Sequence, residues 1–318
     1  MKRMRWLRDG FVWLVVGITA SASQAQDCPL LYVSRVQTIR VSDSVTIAYA
    51  EQGNGPIALL FVHGLGGNLT NWRHNLDTLS ATYRCVVIDL PGYGMSGLRT
   101  YHPATDQMSF YADQVIAFVH KRSLSKVVLV GHSMGGQVAM LAALRQPQAF
   151  RGLVLINPAG LETFTEQEGT LLTQVATPQF FQKQTETAIR WGYAQNFTGL
   201  PADAETLVQD RLRLRDCPGF TAYCQTVAQG VVGMLAHPVR AQLGQIQQPT
   251  LILFGKDDKL IPNRLLHPAL TTRAVADIGD TGIPDSRLIM IPQAGHMAMY
   301  EQAGAVNKAI QTFVRELN

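Results

Sequence analysis

The stretch KVVLVGHSMGGQVAM, residues 126–140, sets Ser133 between Gly131 and Gly135. An apolar run leads into it and a helix-like segment follows. A Gly-x-Ser-x-Gly sequence at a strand-to-helix junction forces its serine into a sharp, strained turn with the hydroxyl held clear. A serine hydroxyl is a poor nucleophile unless a base takes its proton. The base in turn needs an acid that fixes its tautomer and stabilises its charged form. The chemistry open to Ser133 therefore depends on what the other strand ends supply.

Of the eight histidines, His296 has the right setting: it lies in IPQAGH, just past the last apolar run. A loop there can reach back over the carboxyl edge of a sheet. For the acid, LILFGKDDKLIP (251–262) offers two aspartates. Asp258 is the better placed, between Gly255 and Pro262, with Asp257 as the alternative. The run Leu153–Ile156 would be the other workable place for an acid, but it ends in Asn157, which cannot carry the charge. Asp89, in DLPGYG, reads as a loop anchor. His132 should point away from its neighbour Ser133 at a sharp turn. His63 opens a separate loop, and His74, His102, His120, His237 and His267 lack a comparable strand-end setting.

An acyl-transfer transition state also needs donors for its oxyanion. The backbone N–H of Met134 is one candidate. The other is the N–H of Leu65, in the glycine-rich turn VHGLGG (62–67). No Lys-Ser/Thr follows that turn, so a phosphate-binding loop has no support.

These loops require strands to position them. Val33–Val41 and Val45–Glu51 read as an antiparallel pair. Ile57–Val62, Cys85–Asp89, Val127–Val130, Leu153–Ile156, Leu251–Phe254 and Leu288–Ile291 are continuously apolar, as expected of parallel strands covered on both faces. Helix-like stretches at Leu69–Ala81, Thr105–Lys121, Gly135–Arg145 and Tyr300–Leu317 lie among them. Alternating strands and helices predict an α/β fold with a mostly parallel sheet and helices on both faces. The rhythm breaks between Leu161 and Gln248, where almost ninety residues lack a convincing strand. That is too long for a simple crossover. We read 161–247 as a mainly helical cap, inserted into a core made of 26–160 and 248–318.

The chain has 318 residues, 47% of them hydrophobic and 16% charged, with no long repeats or low-complexity tracts. This suits one substantial core and argues against disorder. Lys2, Arg3, Arg5 and Arg8 against Asp9 account for most of the net charge of +4. The remainder is nearly neutral, which leaves no basic patch for nucleic acid. The same basic stretch precedes the apolar run Phe11–Ala20 and the small residues Ser21–Ala25, the layout of a secretory signal spanning 1–25. A periplasmic or secreted protein is expected, with an uncleaved membrane anchor as the alternative. Outside the cytosol the four cysteines could pair. Cys217 and Cys224 enclose a short loop that suits a local staple, which leaves Cys28–Cys85 by elimination; four buried thiols are the alternative. No cysteine or histidine cluster suggests a metal.

With these residues in place, the sequence resembles the α/β-hydrolase superfamily over about 45–160 and 248–318. The motifs are HGLGG (63–67), DLPGYGMS (89–96), GHSMGG (131–136), GKDDKLIP (255–262) and AGH (294–296). The order Ser133, Asp258, His296 is the Ser…Asp…His order of that superfamily. HGLGG followed by Asn71-Trp72 looks most like the bacterial family V lipases and esterases, and also resembles the hydrolases of meta-cleavage products. The resemblance implies a serine hydrolase of small-molecule or lipid esters, with no cofactor and with transient contact at a lipid interface. Rival chemistries on the same triad are thioester, lactone, peptide and carbon–carbon hydrolysis and cofactor-free haloperoxidation. A non-catalytic binding protein on the same fold is a further alternative. The cap carries no resemblance that fixes a substrate.

Overall fold

The computed structural model describes residues 36–98 and 104–317. The segment 1–25 and Cys28 lie outside them. Strands β1 (Gln37–Ser42) and β2 (Val45–Gln52) form the antiparallel opening pair. Next come β3 (Ala58–Val62), a single 3₁₀ turn at Leu69–Trp72, helix α1 (Arg73–Ser80), β4 (Arg84–Ile88) and a short strand β5 (Gly97–Leu98). Helix α2 (Gln107–Lys121), β6 (Val127–His132), α3 (Met134–Arg145) and β7 (Phe150–Ile156) follow.

The strands run β1-β2-β4-β3-β6-β7-β8-β9 across the sheet, with β5 beside β2; β8 is Thr250–Gly255 and β9 is Ser286–Ile291. Pairing is antiparallel as far as β2–β4 and parallel from β4 to β9. The continuous apolar runs are explained by burial on both faces. Ala58, Leu60 and Val62 of β3 enter one core with Val127 and Leu129 of β6. Leu59 and Phe61 enter the other with Val128 and Val130. Successive residues point to opposite faces, so each strand feeds both cores. Each fully buried aliphatic side chain contributes about 1.5–3 kcal/mol.

Helices α2 and α3 cover the first face, together with α9 (Thr272–Gly282). On the second face lie α1, the short α10 (Ala298–Glu301) and α11 (Ala303–Glu316). The expected single helix over 300–317 is thus interrupted near Gln302. Helix α9 and strand β5 are additions to the sequence reading. Between β7 and β8 the regular elements are all helical: α4 (Glu166–Val175), α5 (Pro178–Gln182), α6 (Glu186–Gln195), α7 (Glu205–Arg213) and α8 (Phe220–Ala236), with short 3₁₀ turns. Thr165, Thr177 and Thr185 cap α4, α5 and α6 by accepting a backbone N–H, and Glu168 completes a capping box with Thr165.

Both expected disulfides are wrong. Cys217 is disulfide-bonded, whereas Cys85 and Cys224 are free and buried. Both side chains enter the first core, but Cys224 sits on α8 while Cys217 precedes that helix in extended backbone. Proximity in sequence does not align their side chains, and a disulfide needs that alignment. Cys85 lies on β4 within the sheet, and burial pushes its thiol up to about 12.

Candidate active site

Strand β6 ends at His132 and α3 begins at Met134, so Ser133 alone makes the turn between them. It adopts φ 52° and ψ −119°, a conformation that costs a non-glycine residue about 1–3 kcal/mol. Hydrogen bonds hold it there. Ser133 N–H donates to Ile156 O at 3.0 Å, and Ser133 O accepts from Gly136 N–H at 2.9 Å and Ala159 N–H at 3.0 Å. The flanking glycines answer a packing need. A Cβ on Gly131 would lie 2.3 Å from Gly135 O, and one on Gly135 would lie 2.3 Å from Val62 O. The helix start must press against both its own strand and β3.

His296 stands in the loop after β9 and lines the same cavity as Ser133. This loop runs beside the loop after β8, with Asp257 N–H donating to Ala294 O at 2.9 Å. Asp258 is buried, and its Oδ2 accepts from His296 Nδ1 at 2.8 Å. Its Oδ1 accepts the N–H groups of Leu260 and Ile261 at 2.8 and 3.1 Å. Burial on its own would raise the Asp258 pKa. The attraction of His296, its hydrogen bond and those from Leu260 and Ile261 outweigh burial, so the carboxyl lies below its ordinary value. An ionised Asp258 requires a proton on His296 Nδ1, which leaves the Nε2 lone pair free to act as a base. Asp257 is exposed and contributes its backbone to the loop contact.

The neighbouring histidines have other partners. His63 bonds Gly64 O through Nδ1 at 2.8 Å and accepts Leu90 N–H on Nε2 at 3.0 Å. Burial lowers it to about 4, so it is a neutral clamp on the glycine-rich turn. His132 lines the same cavity, and its Nε2 bonds the backbone O of His296 at 2.9 Å. Burial, followed by the nearness of His296, lowers it to about 3. Asp89 accepts the N–H groups of Leu69 and Met95 at 2.7 and 2.8 Å, as a loop anchor does.

Leu65 occupies the second position of the turn Gly64–Gly67, closed by Gly67 N–H to Gly64 O at 3.1 Å, with Gly66 at φ 70°. Its N–H is not used to close that turn. Met134 is the first residue of α3, where an N–H has no acceptor within the helix. The helix dipole there favours an anion by about 0.3–1 kcal/mol.

The cavity has a volume of about 540 Å³, and residues of the cap such as Phe181, Ile189, Val227 and Met234 give it mostly apolar walls. The cap is tied to the histidine loop by Met297 N–H to Asn196 O at 3.0 Å. Two residues that the sequence reading did not place in the site belong to it. Asn157 donates from Nδ2 to Asp258 Oδ2 at 2.7 Å. Its position at the end of β7 was the available signal. Arg211, on α7, lines the cavity, and nothing local in the sequence marks it. Among the described residues no group of three or more His, Cys, Asp or Glu could hold a metal, and no helix is long and apolar enough to cross a membrane.

Comparison with known proteins places these features in a family. A family model described as the alpha/beta hydrolase fold matches residues 57–303. The dihydrolipoyllysine-residue acetyltransferase component of the acetoin cleaving system is 27% identical in Cupriavidus necator and 29% in Pseudomonas putida, over 85% and 83% of this chain. This chain spans only 66% and 65% of the length of those two relatives. The pimeloyl-[acyl-carrier protein] methyl ester esterase of Vibrio atlanticus is 26% identical over 86% of this chain and all of its own length, 100%. Among solved structures, the 2-hydroxy-6-oxo-6-phenylhexa-2,4-dienoate hydrolase of Rhodococcus sp. strain RHA1 superposes with a TM-score of 0.71 at 19% identity, covering 88% of this chain and 100% of that one. At that identity the likeness concerns the fold alone.

Proposed function

The chain belongs to the alpha/beta hydrolase fold family, and from that premise we propose that it is an exported serine hydrolase of carboxylic esters. The observation that carries this reading is one cavity lined by both Ser133 and His296, with Asp258 buried behind the imidazole at 2.8 Å. In the proposed reaction His296 Nε2 takes the Ser133 hydroxyl proton as Oγ attacks the ester carbonyl. The N–H groups of Leu65 and Met134 receive the oxyanion; loss of one such donor costs about 10²–10³ in rate. His296 then protonates the leaving alcohol. Water, deprotonated by His296, attacks the acyl-enzyme and releases the acid. Asp258 and its three other donors hold the imidazole in one orientation.

Support for an ester rather than another acyl bond comes from the apolar cavity and from the esterase of Vibrio atlanticus among the relatives. The Rhodococcus hydrolase is named for a substrate without an ester, so the family by itself does not decide. Export is supported by the oxidised Cys217, since disulfides persist mainly outside the cytosol. Turnover of p-nitrophenyl esters of graded chain length, with fluorophosphonate labelling, tests the reading. Hydrolysis with Ser133 labelled is expected. No turnover together with an unlabelled Ser133 would overturn it.

A further inference from the structure

Segment 196–198 of the cap leaves the end of α6 and meets both the loop that carries Asp258 and the loop that carries His296. From the acid loop, Lys259 Nζ donates to Phe197 O at 2.7 Å and to Thr198 O at 3.4 Å. From the base loop, Met297 N–H donates to Asn196 O at 3.0 Å. Lys259 directly follows Asp258, and Met297 directly follows His296. The residue before His296 is tied in as well. Gly295 N–H donates to Glu301 Oε2 at 2.6 Å, while Glu301 Oε1 accepts the N–H and the hydroxyl of Thr198 at 2.7 and 2.6 Å.

The junction is also packed closely. A Cβ on Gly295 would lie 2.9 Å from Asn196 O and 3.0 Å from the carbonyl carbon of Phe197, so the base loop and the segment are in backbone contact. Phe197 is fully buried in the second core, its ring 5.7 Å from that of Tyr300. The segment therefore has a fixed seat. Among the described residues, the side-chain hydrogen bonds of Lys259 and Glu301 all go to this junction. Hydrogen bonds with one ionised partner are roughly twice as strong as neutral ones. Neither side chain lines the cavity, so neither is placed to touch a substrate.

We propose that Lys259 and Glu301 are positioning residues, which act through segment 196–198 to hold Asp258 and His296 in hydrogen-bonding register. The 2.8 Å bond between those two joins loops from different strands, β8 and β9. Irregular loops shift more readily than strands, and a misplacement of about 1 Å can cost about 10²-fold in rate. One segment bound to Lys259 on the acid side, and to Gly295 and Met297 on either side of the base, restrains both loops against a common body. The cap then aligns the catalytic pair as well as walling the cavity. This assignment rests on the triad reading above.

The test follows kcat and KM for p-nitrophenyl butyrate together with the rate of Ser133 labelling by a fluorophosphonate. Lys259→Met keeps the aliphatic stem and removes the donors. Glu301→Gln keeps the shape and turns one acceptor into a donor. Each should lower kcat and the labelling rate about tenfold or more, with KM within about threefold of wild type. Lys259→Arg, which can still donate to two carbonyls, should stay within about threefold of wild type in kcat. Arg190→Met is the control: it breaks ion pairs with Glu186 and Glu205 inside the cap and should stay within about twofold. A change in KM alone, a Lys259→Arg as impaired as Lys259→Met, or an equal loss in Arg190→Met overturns the assignment and leaves these contacts as anchors of the cap.

A spectroscopic arm needs no turnover and separates this from failure of the ester reading. The proton that His296 Nδ1 donates to Asp258 gives a downfield ¹H NMR resonance, assigned by its loss in His296→Ala. It should move upfield or broaden in Lys259→Met and in Glu301→Gln, and keep its wild-type position in Lys259→Arg and Arg190→Met. That pattern, with slowed labelling of Ser133, upholds the positioning role even if no ester is hydrolysed. A resonance unchanged in both Lys259→Met and Glu301→Gln removes it.

Discussion

Asn157 Nδ2 and His296 Nδ1 donate to the same carboxylate oxygen of Asp258, at 2.7 and 2.8 Å. The amide stands at the end of β7 and the carboxylate at the end of β8, two neighbouring strands in register. Asn157 also accepts Gly255 N–H on Oδ1 at 3.3 Å, so it ties the acid loop to the strand beside it. Asn157→Ala removes a donor to the ionised form of Asp258. The expected result is about a ten- to hundredfold fall in kcat/KM. The acid limb of the pH–rate profile should shift to higher pH, which a purely structural loss would not produce.

The same contact sets the side chain at the end of β7 within hydrogen-bond reach of the carboxylate after β8. Asp258→Asn alone should lose about 10⁴-fold in kcat. Adding Asn157→Asp restores a carboxylate next to the position where His296 Nδ1 points. Recovery of about tenfold or more is expected from Asn157→Asp/Asp258→Asn over Asp258→Asn. A double variant no better than the single one would show that the imidazole cannot turn to the β7 side.

Two buried neutral histidines should make the protein acid-sensitive. Burial holds His63 at about 4 and His132 at about 3, against an ordinary 6.5. The unfolded chain therefore binds more protons than the native one between those values and 6.5. Stability is complete above pH 6.5 and falls as pH drops towards 4. At pH 5 each histidine removes about 2 kcal/mol relative to pH 7. Urea unfolding at the two pH values measures this, and His132→Asn should flatten the dependence. Equal stability at pH 5 and pH 7 would contradict the neutral assignment.

Glycines separate by position. Gly131→Ala and Gly135→Ala each drive a Cβ to 2.3 Å from a backbone oxygen, and both should abolish soluble folded protein. Gly169, inside α4, has nothing within 4 Å of an added Cβ. Gly169→Ala should stabilise the protein by about 0.5–1 kcal/mol, readable as a higher thermal midpoint.

What was legible in the sequence follows from how local its causes are. Ser133, His296 and Asp258 each stand at the carboxyl end of a strand whose burial on both faces writes a continuous apolar run. Glycines mark the turns beside them. Helix α9 was not legible because its inward face is Thr272, Val275, Ala276 and Gly279, which has helical spacing but little hydrophobic signal. Asn157 is visible at its strand end but carries no charge, and the contact it makes requires only an amide. Arg211 depends on three cap helices meeting around it, and no short pattern encodes that convergence.

The cysteines allow a last measurement. Spacing suggested a Cys217–Cys224 staple, yet Cys224 is free in the core and Cys217 is bonded elsewhere. Cys85 is also free, inside the sheet and raised to about 12 by burial, so it should be inert in the native state. Native protein should therefore react with neither iodoacetamide nor a maleimide at Cys85. After unfolding without reductant, Cys85 and Cys224 should react and Cys217 should not, as read by peptide mapping. Modification of Cys217 under those conditions would contradict its disulfide, while loss of Cys224 reactivity would restore the pairing that spacing suggested.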